Sequence, residues 1–287
     1  MILIIGANGQ LGQTLKVVFK NSKGLNKKKM NIENYNKTFN TLKKLKPKYV
    51  FNCAAYHNTI NCEVNWVKAF SINTNSVLNL VKISNILNFK LVHFSTDYVF
   101  DGKKSKPYVE SDIENPINIY GLSKYYGEKI IRLYSKNFLI IRLTSLYSEF
   151  PCKAKKGMNF IDKIIDLYKR KKNISVSNLT ISPTYVYDAA IQIKKIYKNI
   201  NNQTVHVASE GSTTWFDFAR FIFNELEINY KIKKVTNFDN DYIMRPKYTV
   251  LKNMYLKKKK LNIMPNWKTS VKKYLAKKNY NLFNSNQ

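Results

Sequence analysis

The chain has 287 residues, 44% of them apolar, enough for one large α/β domain or one such domain with a smaller companion. Its formal charge of +31 suits a polyanion partner, yet only five of the 49 basic residues are arginine, the side chain that reads phosphates and bases with a planar fork. The lysines lie spread among asparagine, isoleucine and tyrosine, which marks a compositional bias, so neither nucleic acid nor a membrane is expected as partner. No run of eighteen apolar residues exists, and Cys53, Cys62 and Cys152 are odd in number and lack ligand spacing. A membrane span, a disulfide framework and a zinc site are therefore not expected, and reduced cytoplasmic thiols are.

Ile2-Leu3-Ile4-Ile5 reads as a buried strand, without the basic start and longer apolar run of a signal peptide. Gly6-Ala7-Asn8-Gly9-Gln10-Leu11-Gly12 makes the turn into a helix carrying Leu15, Val18 and Phe19. Residues 20–46 are polar, and a second strand there is expected to be weak or missing. Residues 49–54 form the next strand, and Val77, Leu80, Val81 and Leu87 give helical periodicity before a strand at residues 91–94. A helix from Tyr120 carries Ile130, Ile131 and Tyr134 and leads to a strand at residues 138–141. This alternation predicts an α/β fold, a Rossmann-type doubly wound parallel sheet.

After Tyr147 the pattern changes. A basic loop at residues 152–157 precedes a helix over residues 160–168. A strand-like Val205-His206-Val207 precedes a helix capped by Thr214, with Phe218, Phe221 and Ile222 on one face. The expected division is a cofactor domain over residues 1–147, with about 174–204, and a smaller, partly interleaved substrate domain over 148–173 and 205–287. The tail after Lys277 is expected to be loose.

Two motifs carry chemistry. A glycine-rich turn between an N-terminal strand and a helix is a dinucleotide fingerprint. Gly6 permits the tight turn, Gly9 lets the backbone approach a pyrophosphate, and Gly12 allows close helix–strand packing. Where an acidic residue would bind the ribose hydroxyls of NAD, the chain has Asn26-Lys27-Lys28-Lys29-Met30-Asn31. Cations there suit a 2′-phosphate, so NADPH is the expected cofactor, with NADH as the alternative.

The second motif is Ser95-Thr96-Asp97-Tyr98 followed by Tyr120-x-x-x-Lys124. Tyr120 and Lys124 share a helix face, and a nearby ammonium is expected to pull the phenol down. Thr96 can hydrogen-bond a substrate carbonyl while Tyr120 protonates its oxygen and a nicotinamide hydride attacks its carbon. The pattern resembles that of nucleotide-sugar enzymes whose 4,6-dehydratases carry an Asp-Glu pair after the threonine; here the pair is Asp97-Tyr98, so the resemblance implies reduction without dehydration. Asp97 has two readings, a structural hydrogen-bonding residue or a direct participant. His93 alternates into the strand as a core histidine.

With these residues the chain resembles the extended short-chain dehydrogenase/reductases, and among them the dTDP-4-dehydrorhamnose reductase family. The resemblance runs over Asn52 to Tyr56, Glu63, Asn73, Ser95 to Gly102, Pro107-Tyr108-x-Glu110, Asp112, Pro116 to Lys124, Arg142 to Tyr147, Ser182 to Tyr185, His206-x-Ala208, Trp215 and Arg245-Pro246. It implies Thr96, Tyr120 and Lys124 as the catalytic trio. It implies cofactor contacts at Gly6, Asn8, Gly9, Gln10, Leu11, Gly12, Asn31, Ile32, Cys53, Ala54, Ala55 and Asn73, besides Tyr120 and Lys124. Substrate contacts fall on Tyr56, His57, Thr96, Asp97, Tyr98 and Arg245. His57 reads equally as loop polarity, and Arg245 either pairs with a nucleotide diphosphate or forms a structural salt bridge.

The implied substrate is a nucleoside-diphosphate 4-keto-6-deoxy sugar, and a homodimer is compatible with the resemblance. The chain departs from the pattern at Ile60, where an acidic residue is usual, at Ser145, where tryptophan is common, at Asn178 to Ile181, and at Lys252. Thr14 and Tyr187 stand where some members carry magnesium-binding carboxylates, so no metal is expected. The departures leave two alternatives: a reductase or epimerase of another nucleotide sugar, and a non-catalytic cofactor-binding subunit like the β subunit of methionine adenosyltransferase.

Overall fold

In the computed structural model, which describes residues 1–151, 157–236 and 243–280, a six-stranded parallel sheet forms the centre. Its strands are β1 (Ile2–Ile5), β2 (Ser22–Leu25), β3 (Tyr49–Asn52), β4 (Lys90–Thr96), β5 (Phe138–Leu143) and, late in the chain, β10 (Gln203–His206). Across the sheet the order is β10-β5-β4-β3-β1-β2. The chain leaves β1 in one direction for β2 and returns on the other side for β3. The C-terminal ends of β1 and β3 therefore flank a crevice, where doubly wound sheets bind ligands.

The strands are near-continuous apolar runs because both faces are covered. On one face α1 (Gln10–Val18) and, later, α8 (Val186–Ile196) pack Leu15, Ala190 and Ile193 against Ile4, Phe51 and Val92. On the other, α2 (Tyr35–Leu45), α5 (Ser76–Leu87) and α6 (Ile119–Tyr134) bury Leu42, Leu80 and Ile131 against Leu3, Val50 and Leu91. Between β3 and α5 run the short helices α3 (Thr59–Val64) and α4 (Trp66–Phe70) and a wide turn over Ser71–Asn75. A separate apolar cluster joins α7 (Phe160–Lys169), α9 (Trp215–Glu225) and α11 (Trp267–Lys278) around Phe218, Trp267 and Tyr274. Over it lie two-stranded pairings: β6 (Leu146–Tyr147) with β9 (Thr184–Tyr185), β7 (Ile174–Ser177) with β12 (Ile232–Val235), and β8 (Thr180–Ile181) with β11 (Thr213–Thr214). Residues 254–258 form the short helix α10 (Met254–Lys258).

Two expectations are corrected. The second strand exists: Ser22–Leu25 has one buried apolar residue, Leu25, but lies at the sheet edge and needs only the backbone of β1 to pair. Val205 and His206 fall not with the smaller cluster but in the main sheet, where β10 pairs parallel with β5. Of the tail after Lys277, residues 278–280 are described, where the Tyr280 hydroxyl donates to Asp162 Oδ1. The Thr214 cap holds, its hydroxyl accepting from Asp217 N. Cys53 and Cys62 are free thiols. Cys152, the basic residues 152–156 and residues 281–287 lie outside the described residues. Among the described residues no helix is long and apolar enough to cross a membrane, and no group of three or more His, Cys, Asp or Glu side chains is placed to hold a metal.

Candidate active site

The glycine turn closes the crevice floor. Gly6 has φ +74, and a Cβ there would stand 2.8 Å from Ala54 N, so the turn touches the end of β3. Gly12 is tighter still, with a Cβ only 2.5 Å from Gly6 O. Gly9 caps α1 without any side-chain hydrogen bond, and the first turn carries no acidic residue. The amide groups of Gln10, Leu11 and Gly12 therefore face outward with no helical acceptor, which is the anion-binding arrangement of a helix N-terminus. Gln10 Nε2 is buried and has no hydrogen-bond partner. These residues fit the pyrophosphate of a dinucleotide. Two substitutions should separate packing from binding. Gly12→Ala should cost about 1–3 kcal/mol through the clash, whereas Gly9→Ala, whose Cβ would lie 3.4 Å from Gly6 O, should leave the melting temperature near wild type and still weaken cofactor binding. Thermal melts paired with fluorescence titration of the cofactor read both.

The other predicted cofactor residues differ in how they reach the crevice. Cys53, Ala54 and Ala55 follow β3 directly, and Ala54 N donates to Asn52 Oδ1 at 3.2 Å. Asn8 supplies its carbonyl to Gln13 Nε2. Asn31 follows the lysine turn and accepts from Glu33 N, while the Ile32 side chain points into the core, leaving only its backbone for a ligand. Asn73, like Ile32, leaves only its backbone for a ligand. Its side chain is 1% exposed and spent on the protein: Oδ1 accepts from Tyr56 N at 2.9 Å, and Nδ2 donates to Tyr56 O and Ser123 Oγ. It fixes the Tyr56 loop to α6.

Tyr120 and Lys124 stand in the first turns of α6, as the spacing requires. Asn118 caps the helix by accepting from Gly121 N at 2.8 Å, and Glu63 Oε1 accepts from Ile119 N at 2.8 Å. Gly121 has no room for a side chain, since a Cβ would lie 2.1 Å from Tyr98 O. This approach presses Tyr120 against the turn after β4, where its ring meets Tyr98 edge-on at 5.8 Å. The Thr96 hydroxyl lies close enough to influence the Tyr120 phenol.

The electrostatics depart from expectation. Burial pushes the Tyr120 phenol above its ordinary value; the Thr96 bond draws it down, and the Asp97 charge pushes it up again. Lys124 does not supply the expected pull. It is 2% exposed, its Nζ donates to Phe94 O at 2.6 Å and lies 3.0 Å from His93 Nε2, and burial lowers it to about 8. Tyr120 thus stays protonated through neutral pH, which suits a proton donor.

Asp97 is buried with Thr96 Oγ1 donating to Oδ1 at 2.9 Å and Thr144 Oγ1 donating to Oδ2 at 2.6 Å. Burial raises its carboxyl, with Thr144, Thr96 and Thr249 opposing. Its contacts form a clamp on Thr96. Tyr98 is half-buried and raised to about 12 by burial and the Asp97 charge, against Arg245. Arg245 is thus close enough to act on Tyr98, and Asn118 Nδ2 anchors its neighbour through Met244 O at 3.0 Å. Tyr56 is half-buried and His57 exposed on the loop after β3. Ser145 takes a left-handed φ of 43.

Sequence reasoning missed three supports: the second cap from Glu63, the bridge through Asn73, and the contact of His93 with Lys124. A polar residue inside an otherwise apolar strand, two positions before Ser95, was the available signal for the last.

Comparison with known proteins agrees along the chain. Residues 1–280 match the family described as RmlD substrate binding domain. The spore coat polysaccharide biosynthesis protein SpsK of Bacillus subtilis (strain 168) is 32% identical, covering 96% of this chain and 97% of its own. A dTDP-4-dehydrorhamnose reductase of Aggregatibacter actinomycetemcomitans is 34% identical over 78% of each chain. A crystal structure of dTDP-4-dehydrorhamnose reductase from Bacillus anthracis str. Ames, in complex with NADP, superposes with a TM-score of 0.89 at 31% identity over 96% of this chain and 97% of that one. The sheet order, the glycine turn and a similarity that runs almost end to end leave one conclusion, that this chain belongs to the dTDP-4-dehydrorhamnose reductase family of nucleotide-sugar oxidoreductases.

Proposed function

We propose that this protein uses NADPH to reduce the 4-keto group of a nucleoside-diphosphate 6-deoxy sugar, with dTDP-4-dehydro-L-rhamnose as substrate and dTDP-L-rhamnose as product. The observation that carries the reading is the packing of Tyr120 against the turn that follows Thr96 at the carboxyl end of β4, with its ring edge-on to Tyr98 at 5.8 Å. The nicotinamide, when bound, supplies the hydride. Thr96, held by Asp97, orients the carbonyl oxygen. Tyr120 gives that oxygen its proton, and its raised phenol keeps the proton available at neutral pH. Lys124 stands one helical turn away to restore the charge of Tyr120. Tyr98 offers no carboxylate for abstracting a second proton, so no water is eliminated. Arg245, beside Tyr98, is suited to the diphosphate.

NADPH over NADH rests on the Lys27-Lys28-Lys29 turn after β2 and on Glu33. Burial raises Glu33, but Lys68 at 2.7 Å and the Ser71 hydroxyl at 2.7 Å outweigh it and lower the carboxyl overall. Its charge is balanced within the protein and does not repel a 2′-phosphate. The B. anthracis relative was solved with NADP. A second reading, another nucleotide sugar, is favoured by Ser145 on the loop after β5, where the family commonly has tryptophan.

Following NADPH oxidation with dTDP-4-dehydro-L-rhamnose tests the proposal. Turnover is expected, with kcat/KM higher for NADPH than for NADH. A clear NADH preference overturns the cofactor part, and turnover confined to other keto sugars moves the substrate to the second reading. Cofactor binding without turnover on any keto sugar indicates a regulatory subunit instead.

A further inference from the structure

His93 is fully buried in β4, and both of its ring nitrogens are occupied. Asn52, its register partner at the end of β3, sets Nδ2 3.2 Å from His93 Nδ1. Lys124 Nζ lies 3.0 Å from Nε2. Ala54 fixes the direction of these contacts. Its N–H donates to Asn52 Oδ1, which turns the Asn52 NH₂ toward His93. Nδ1 therefore accepts, and a neutral imidazole accepting there carries its proton on Nε2, pointing at Lys124. An ammonium has three donors and no lone pair, so a charged Lys124 would meet this N–H donor to donor. The amine instead accepts from Nε2–H and still donates to Phe94 O.

A doubly protonated His93 does not relieve the conflict, because it keeps the Nε2–H and adds an Nδ1–H facing the Asn52 NH₂, and burial holds the ring well below its usual range. The other ionisable groups acting on Lys124 are Glu128, one turn along α6, and the Cys53 thiol, and both favour the ammonium. Burial opposes them, and the His93 N–H aimed at Nζ acts in the same direction as burial. We infer that His93, oriented by Asn52, is a positioning residue that biases Lys124 toward its amine form, so that Lys124 exchanges a proton near neutral pH. On the reading proposed above, such a lysine can take up a proton from solvent and pass it to the Tyr120 phenolate after each turnover, ending again as the amine.

The chain contains three histidines, His57, His93 and His206, so nitrogen-15 histidine labelling gives a tractable spectrum. Long-range proton–nitrogen spectra are expected to show His93 as the neutral Nε2–H tautomer at neutral pH. Its shifts should step as Lys124 titrates, and Lys124→Met should abolish the step. An Nδ1–H tautomer, or spectra that titrate identically in wild type and Lys124→Met, would overturn the inference. This readout needs no substrate, so it stands or falls apart from the assignment of the sugar. In turnover, His93→Gln can offer Lys124 an amide oxygen and should move the corresponding limb of the kcat/KM profile up by about one pH unit, an ordinary environmental shift. An unmoved limb in a folded His93→Gln variant also counts against it.

Discussion

Tyr120→Phe is expected to lower kcat by about 10²–10⁴-fold, the usual contribution of a positioned acid, equivalent to about 3–5 kcal/mol of barrier. The substitution removes one oxygen and leaves the ring. The edge-on contact with Tyr98 at 5.8 Å and the caps at Asn118 and Glu63 do not use that oxygen, so α6 should stay in place. What is lost is the phenol's proton. A loss in kcat with little change in KM, an unchanged circular dichroism spectrum and an unchanged melting temperature form the expected pattern. Retained turnover would place the proton donor elsewhere.

The largest effect on stability is expected behind the site. Arg142 in β5 reaches Glu128 in α6 through Nε to Oε1 at 3.0 Å and Nη2 to Oε2 at 2.7 Å, with both side chains fully buried. Glu114 at 2.5 Å and Arg132, 2.9 Å from Glu128, complete the network. This network ties the helix that carries Tyr120 to the sheet. Arg142→Met strands a buried carboxylate beside a partly exposed arginine and should cost about 3–5 kcal/mol. The double variant Arg142→Met with Glu128→Leu should recover much of that loss, because an apolar pair escapes the desolvation that a lone charge suffers.

The acid response carries a sign. Burial alone would raise Glu128, but Arg142 and Arg132 bring it down to about 2 from an ordinary 4.5. A folded value below the unfolded one stabilises above about pH 4.5 and is lost as pH falls toward 2. The gap between wild type and Arg142→Met in urea titrations should therefore narrow across that window. A gap that stays constant would show that the ion pair does not carry the difference.

Much of the fold was legible because parallel strands covered on both faces are apolar runs, and Ile2–Ile5 or Phe138–Leu143 can hardly be read otherwise. Ser22–Leu25 was not, since an edge strand is held by backbone bonds to β1 that leave no mark on its side chains. His206 was misplaced for a related reason. Its strand pairs with β5 across some sixty residues of chain, and local pattern carries no information about that partner.

At the site, the i, i+4 spacing of Tyr120 and Lys124 placed both on one helix face, but spacing alone could not say what surrounds the lysine. Phe94 and His93 come from a strand thirty residues earlier and take up its nitrogen, so the lysine does not offset the burial that raises the phenol. Asp97 shows the same limit from the other side. Its adjacency to Thr96 was visible, whereas its grip on Thr144 depends on β4 and β5 lying side by side.

The central claim is hydride delivery to carbon 4 of a keto sugar with Tyr120 as the proton donor. Turnover of dTDP-4-dehydro-L-rhamnose with NADPH carrying deuterium in the transferred position of the nicotinamide tests it most directly. Nuclear magnetic resonance of the product should find deuterium on carbon 4 of the sugar and nowhere else. Product formed without deuterium, or deuterium at another carbon, would contradict the account.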